Sequence, residues 1–268
     1  MSSIDGAFAV DNSRVDDTHT HAGGGERRAD RGERSAGSGE RRPRTADRRL
    51  IIAIDGPSGA GKGTISRAVA TRLGYEHVDT GAMYRAVAWK ALYEGVDLAD
   101  DDAVVAIAGR AEFEVGEGVV RVDGHDVAAA IRTPDIDRAA AAVARQPRVR
   151  EVLIARQRAM GERGGVVMEG RDIGTVVFPQ ADVKIFLDAA PEERARRRAN
   201  DPAHASGRSG TALHDVASAL EERDRSDRTR AASPLTQAAD AIVVDTTGVS
   251  IEEAVRRVME EVEKRSRG

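Results

Sequence analysis

Gly56, Gly61 and Lys62, inside the run IIAIDGPSGAGKGT at residues 51–64, stand at the spacing G-x-x-x-x-G-K, the pattern of a phosphate-binding loop. The chemistry behind the spacing is local. Glycines permit backbone conformations closed to other residues, so successive amide N–H groups can turn inward around a phosphate. A helix starting near Gly61 adds the positive end of its dipole, and Lys62 adds a full charge. The general pattern places Ser or Thr directly after the lysine as a magnesium ligand. Here Gly63 holds that place and the hydroxyl follows at Thr64, which makes Thr64 the candidate metal contact, directly or through water. The bland alternative is a chance glycine-rich turn. Strand, loop, lysine and amphipathic helix come in the order the chemistry needs, so Gly56, Pro57, Ser58, Gly59, Ala60, Gly61, Lys62, Gly63 and Thr64 are expected to hold a nucleoside triphosphate.

Four more clusters fall where a strand ends or a helix begins. Asp79, Thr80, Gly81, Tyr84 and Arg85 form one, and Gly170, Arg171 and Asp172 form another after the strand VVME. Arg194, Arg196, Arg197 and Arg198 crowd one helix, and ERDRSDRTR at residues 222–230 puts Arg223, Asp227 and Arg230 on one helical face. Singly, each reads as a surface ion pair, a turn or a helix cap. Together with a triphosphate loop they suit phosphoryl transfer, which needs cations around both donor and acceptor phosphates. Arginine, always charged and forked, matches phosphate oxygens. The histidines show no metal-ligand spacing, and Ser58 lacks a nucleophile-elbow context.

The elements that must position these residues alternate between strand and helix. The apolar run 50–54 leads into the loop, and a helix over 64–73 ends at Gly74. A short extended piece at 76–78 precedes a helix through DTGAMYRAVAWKALYEG, and Asp100 or Asp101 caps a third helix to about Gly109. Residues 111–115 and 119–122 alternate as a hairpin, followed by helices over 135–144 and 147–160. Alternation then resumes with strands at GGVVMEG, VKIFLD and AIVVD, a helix beginning at Pro191, a helix over 213–230, and a last helix capped by Ser250 and Glu253. The pattern predicts an α/β fold with a parallel sheet flanked by helices and ligands beyond the carboxyl ends of the strands. Residues 50–94 and 164–268 are expected to form its core and 95–163 an inserted hairpin-plus-helix subdomain, with 200–212 as a short lid.

Composition bounds the rest. The chain has 268 residues, 40% of them hydrophobic, a net charge of −4 and no cysteine, which excludes disulfides, thiolate zinc sites and generic polyanion binding. No apolar stretch is long enough for a membrane helix, and the first residues lack a signal peptide's apolar core, so a cytoplasmic location is expected. Residues 1–49 are polar and without period. They read as a disordered extension, dispensable for activity, and their interleaved acids argue against a nucleic-acid-binding arm.

GPSGAGKGT, DTGAMYRAVA, IRTPDI, PRVR, EGRDIGTVVFP, VKIFLD with PEERARRR, and ERDRSDRTR with SPL closely resemble the bacterial cytidylate kinases, in order, from about residue 50 to the end. GKGT is common to nucleoside monophosphate kinases, whereas EGRDIGTVVFP and ERDRSDRTR are far more specific. The resemblance implies a P-loop fold in which the insert binds the acceptor, and transfer from ATP, with Mg2+, to CMP or dCMP. It implies that Thr80, Arg85, Arg171 and Arg230 surround the CMP phosphate or stand beside it, with Tyr84 and Arg132 also among the substrate-binding residues. Asp172, Arg150 and Arg230 would approach the cytosine, and Arg223 and Asp227 the ribose. Lys62, Arg171 and Arg230, with the lid-side Arg194, Arg197 and Arg198, would be the catalytic cations. A monomer acting on small nucleotides, with neither nucleic acid nor membrane as partner, is implied as well. One position departs from the family: a serine often found in the helix before PRVR is Ala141 here. Two rival readings are a kinase for another small acceptor such as UMP or shikimate, and an ATP-binding module without transfer. Asp172 and Arg150 speak against the first, Lys62 and the acceptor-side arginines against the second.

Overall fold

The computed structural model describes residues 49–116, 118–201 and 212–267, which belong to one compact unit. Nearly all of the expected extension and of the expected lid fall outside these residues. Strand β1 (Ile51–Asp55) passes through the glycine loop into α1 (Lys62–Leu73); β2 (Glu76–Asp79) and α2 (Thr80–Tyr93) follow. Then come β6 (Val166–Gly170), β7 (Val183–Asp188), α6 (Pro191–Ala199), α7 (Leu213–Thr229), β8 (Ile242–Asp245) and α8 (Ile251–Arg267). The five strands form one sheet in the order β2-β6-β1-β7-β8, every neighbouring pair parallel.

Alternation along β1 sets the two faces of that sheet. Ile52 and Ile54 pack on one side with Val69 of α1 and Val255 and Val258 of α8; Ala53 faces the other, with Val78, Met168 and Ile173. Strands buried on both faces carry the near-continuous apolar runs seen in the sequence. Because all five strands point the same way, their carboxyl ends gather the glycine loop, Asp79 and Gly170 along one edge.

Between α2 and β6 lie α3 (Asp101–Arg110), β3 (Phe113–Gly116), β4 (Val119–Val122), β5 (His125–Asp126), α4 (Pro134–Val143) and α5 (Pro147–Gly161). The expected hairpin is a three-stranded antiparallel sheet, because two residues of β5 extend it through a turn at Asp123, whose φ is 48°. Two residues are too short for a period to show. The packing does not respect a boundary at residue 95. Met83, Val87 and Ala91 of α2 are buried among α3, α4 and α5, while Ala82 and Ala86 pack against β4. Helix α2 is therefore the shared spine of the two parts.

Two local features depart from the pattern. Residues Ile173–Val177 after β6 form a single π-helical turn, with the Asp55 carboxylate accepting the Ile173 and Gly174 amides at 2.8 Å each. The expected capping box of α8 is half made. Ser250 Oγ accepts the Glu253 amide at 3.2 Å, but the Glu253 carboxylate is drawn to Arg256 and Arg257 instead of reaching back.

Candidate functional site

The loop wall comes first. Gly56 has φ 148°, and a Cβ there would lie 2.0 Å from the Leu187 carbonyl, so only glycine lets the chain leave β1 past β7. Gly61 takes the left-handed region at φ 90° and caps α1. Lys62 Nζ donates to the Pro57 carbonyl at 2.7 Å, closing the loop on itself. Burial, helped by the Arg171 charge, pushes this ammonium down to about 7. Thr64 is exposed on the first turn of α1 and lines the cleft with Ser58, Gly59, Gly61, Lys62 and Gly63, whereas Gly56, Pro57 and Ala60 lie beneath it.

Gly63 lies beside a carboxylate: a Cβ there would stand 3.4 Å from Oε1 of Glu169, near the end of β6, an ordinary contact distance. Glu169 Oε1 lies 2.9 Å from His77 Nε2, and Ser66 Oγ lies 3.2 Å from the same nitrogen. Since Ser66 donates its proton to the Lys62 carbonyl, both partners of Nε2 are acceptors, which places the ring proton there. The sequence reading missed Glu169, His77 and Asp55. The positions of Glu169 and Asp55, acids at the ends of buried apolar strands, were the visible signals. Asp55 is pushed up to about 6, by burial first, against the two amides it accepts.

The far wall of the cleft is a lattice of arginines and acids. Arg150 of α5 donates to Asp172 Oδ2 at 2.5 Å and lies 5.3 Å from the Tyr84 ring centre. Arg171 Nε donates to Asp227 Oδ2 at 2.7 Å, while Arg230 reaches Asp172 Oδ1 at 3.5 Å and Asp227 Oδ1 at 3.6 Å. Burial opposes the charge on Asp227, but Arg171, Arg223 and Arg230 outweigh it and hold the carboxyl below its usual range. Burial also pushes the Tyr84 hydroxyl up to about 12, so it remains a proton donor at neutral pH. Nearer the loop, Arg85 pairs with Asp79 at 2.9 Å, and Arg132 lines the cleft beside them. Arg85 Nε and Arg150 Nε are buried, with no hydrogen-bond partner among the described residues.

Several expected roles meet a different geometry. The Thr80 hydroxyl donates to the Glu169 carbonyl at 2.7 Å, so it ties α2 to β6 and has no proton left for a phosphate. Arg194 does not line the cleft. It lies behind the loop, where Nη1 donates to the Ser58 carbonyl at 3.0 Å and to Asp224. The reason is helical phase: the loop packs on the side of α6 that carries position 194, so a Cβ on Gly59 would lie 3.0 Å from Arg194 Cβ. Arg197 lines the cleft but is tied down by Glu193 and by both the hydroxyl and the carbonyl of Thr246. Arg198 and Arg223 meet across Asp137 of α4, at 3.7 and 2.8 Å, with burial pushing Arg198 down to about 10. Ala141, one turn beyond Asp137, also lines the cleft. The bland reading of ERDRSDRTR as surface ion pairs fails, because Asp224 and Asp227 are buried.

A parallel sheet whose central strand runs through a glycine loop into a helix, with a lysine closing the loop, defines a P-loop nucleotide-binding protein. The family profile described as Cytidylate kinase matches residues 52–264. A cytidylate kinase of Solibacter usitatus is 48% identical over 221 residues, covering 82% of this chain and 95% of that protein. Similar proteins from Pelotomaculum thermopropionicum (50% over 216 residues, 79% of this chain and 95% of that one) and Geobacillus thermodenitrificans (46% over 223 residues, 82% and 99%) carry the same name. The chain belongs to the cytidylate kinase family.

Proposed function

We propose that the protein transfers the γ-phosphoryl group of ATP to CMP or dCMP, giving ADP and CDP or dCDP. The observation that carries the reading is the pairing of two unlike walls in one cleft of ≈ 660 Å³. One wall is a backbone cradle for a triphosphate. The other is an arginine–aspartate lattice suited to a nucleotide carrying one phosphate and a base with a free amino group.

In this reading the loop amides and Lys62 hold the β- and γ-phosphates of the donor. Arg85, Arg132, Arg171 and Arg230 compensate the acceptor phosphate, whose attacking oxygen is already anionic, so no general base is required. Asp172, held by Arg150 and Arg230, accepts a hydrogen bond from the cytosine amino group, while Arg223 and Asp227 address the ribose. Arg198 approaches the transferred phosphate. Arg194 and Arg197 act by holding the loop, from behind and from its side. Catalysis rests on alignment and fixed charge, with transfer directly in line.

Magnesium, when bound, supplies charge compensation on the donor phosphates. The Thr64 hydroxyl and the Glu169 carboxylate are hard oxygen donors lining the cleft, which fits that ion. Among the described residues there is no group of three or more His, Cys, Asp or Glu that could hold a metal ion.

The same reading has the enzyme acting as a cytoplasmic monomer, since both walls come from one chain. Among the described residues no helix is long and apolar enough to cross a membrane. The test is ADP formation with ATP, Mg2+ and a panel of CMP, dCMP, UMP and AMP. Turnover is expected with the two cytidine nucleotides and at most weakly with the others. A preference for UMP or AMP, or no transfer at all, overturns the reading.

A further inference from the structure

We propose that α7 mechanically links the donor loop to the acceptor wall through its consecutive residues Arg223 and Asp224, so that each nucleotide tightens the binding of the other. The inference rests on the donor–acceptor reading of the cleft.

Asp224 is 2% exposed and belongs to neither wall. Its Oδ1 accepts the Ser58 amide at 3.0 Å, and its Oδ2 accepts from Arg194. Arg194 in turn donates to the Ser58 carbonyl at 3.0 Å and to the Ala189 carbonyl at 3.2 Å. Ser58 is thus gripped on both its N–H and its C=O by a buried ion pair, which fixes the first half of the loop to α6 and α7. A buried ion pair is poor value as a stabiliser, because desolvating both charges offsets most of their attraction. What it does supply is a fixed orientation.

The residue before it faces the other way. Arg223 Nη1 donates to Asp137 of α4 at 2.8 Å, and one turn on, Asp227 holds Arg171. A rigid helix that grips the loop at one residue and the acceptor wall at its neighbours cannot shift at one end without moving the other. If α7 has two positions and each nucleotide favours the same one, the two sites share a coupling free energy, and that coupling is reciprocal.

The test is calorimetric titration of the full chain with the non-hydrolysable ATP analogue AMP-PNP and Mg2+, with and without saturating CMP. In the wild type, CMP should tighten AMP-PNP binding by about fivefold or more, a typical coupling factor. Asp224→Asn keeps an acceptor for Ser58 but loses the charge that holds Arg194. It should bring the factor close to one while leaving the affinity for CMP alone within about threefold. A wild-type factor retained in Asp224→Asn, independent binding in the wild type, or an equal loss of both single-ligand affinities with the factor intact would each overturn the link. If Asp224→Asn does not fold by circular dichroism, Asp137→Asn, on a part-exposed carboxylate, reads the other end. It must lower the factor too, and an unchanged factor there refutes the proposal. A wild type that binds no CMP overturns the functional reading itself, an outcome separable from lost coupling.

Discussion

The two walls of the cleft are built on opposite principles. The donor wall is backbone: amides of Gly59 and of residues 61–64, a helix terminus and one lysine, all from a single turn of chain. The acceptor wall is side chain: Arg85 from α2, Arg150 from α5, Arg171 and Asp172 after β6, and Arg223, Asp227 and Arg230 from α7 and its end. A backbone cradle accepts any polyphosphate, so it confers class. Side chains drawn from four places can be matched to one base and one sugar, so they confer identity. The walls also differ in charge balance. Among the described residues no carboxylate pairs with Lys62, which burial partly discharges, whereas Arg85, Arg150, Arg171, Arg223 and Arg230 are each braced by an aspartate.

The largest effect should come from breaking the donor wall. Lys62→Ala is expected to lower kcat by about 10³-fold, in the range seen when one fixed transition-state contact is removed. Circular dichroism should be unchanged, and near-normal turnover by the folded variant would contradict the role. Asp227→Asn attacks the other wall by releasing Arg171 and Arg230. It should lower kcat/KM for CMP by about 10²-fold through misplacement, with KM for ATP little changed; a parallel rise in both KM values would mean general disorder.

The donor wall should also be the more sensitive to pH. A lysine lowered to about 7 is neutral above that pH, and a polyphosphate favours its charged form. Binding of AMP-PNP should therefore take up protons above pH ~7, and its Kd should rise there by up to about tenfold per pH unit. Calorimetry in buffers of different ionisation heat reads this directly, and absence of uptake at pH 8 would refute it. The smallest effect belongs to Ala141→Ser. A restored hydroxyl contributes roughly 0.5–1.5 kcal/mol, up to about tenfold in CMP affinity or in the balance between CMP and dCMP. Unchanged values for both would show that position 141 is not used.

The same contrast explains what could be read in advance. The loop, the strand–helix alternation and most helix ends were legible because each depends on neighbours in sequence: Gly74 at φ 62° after α1, Asp79 and Asp100 as caps. The acceptor residues were nameable only by family resemblance, since nothing local says that Arg150 will meet Asp172. Arg194 was expected near the transferred phosphate and lies behind the loop; four nearly consecutive arginines look alike until the packing of α6 assigns each a direction. Asp224 and Glu169 escaped notice because their partners, Ser58 and His77, lie 166 and 92 residues away. The brief strand β5 and the π-helical turn were hidden for want of length.

In the proposed reading the acceptor wall chooses the base. An aspartate accepts from the cytosine amino group, whereas an asparagine amide can also donate to the uracil carbonyl in its place. The decisive measurement is the ratio of kcat/KM for CMP over UMP in the wild type and in Asp172→Asn. The account predicts a strong preference for CMP that falls by about 10- to 100-fold in the variant, with KM for ATP unchanged. A ratio equal to that of the wild type in a folded Asp172→Asn protein would contradict it.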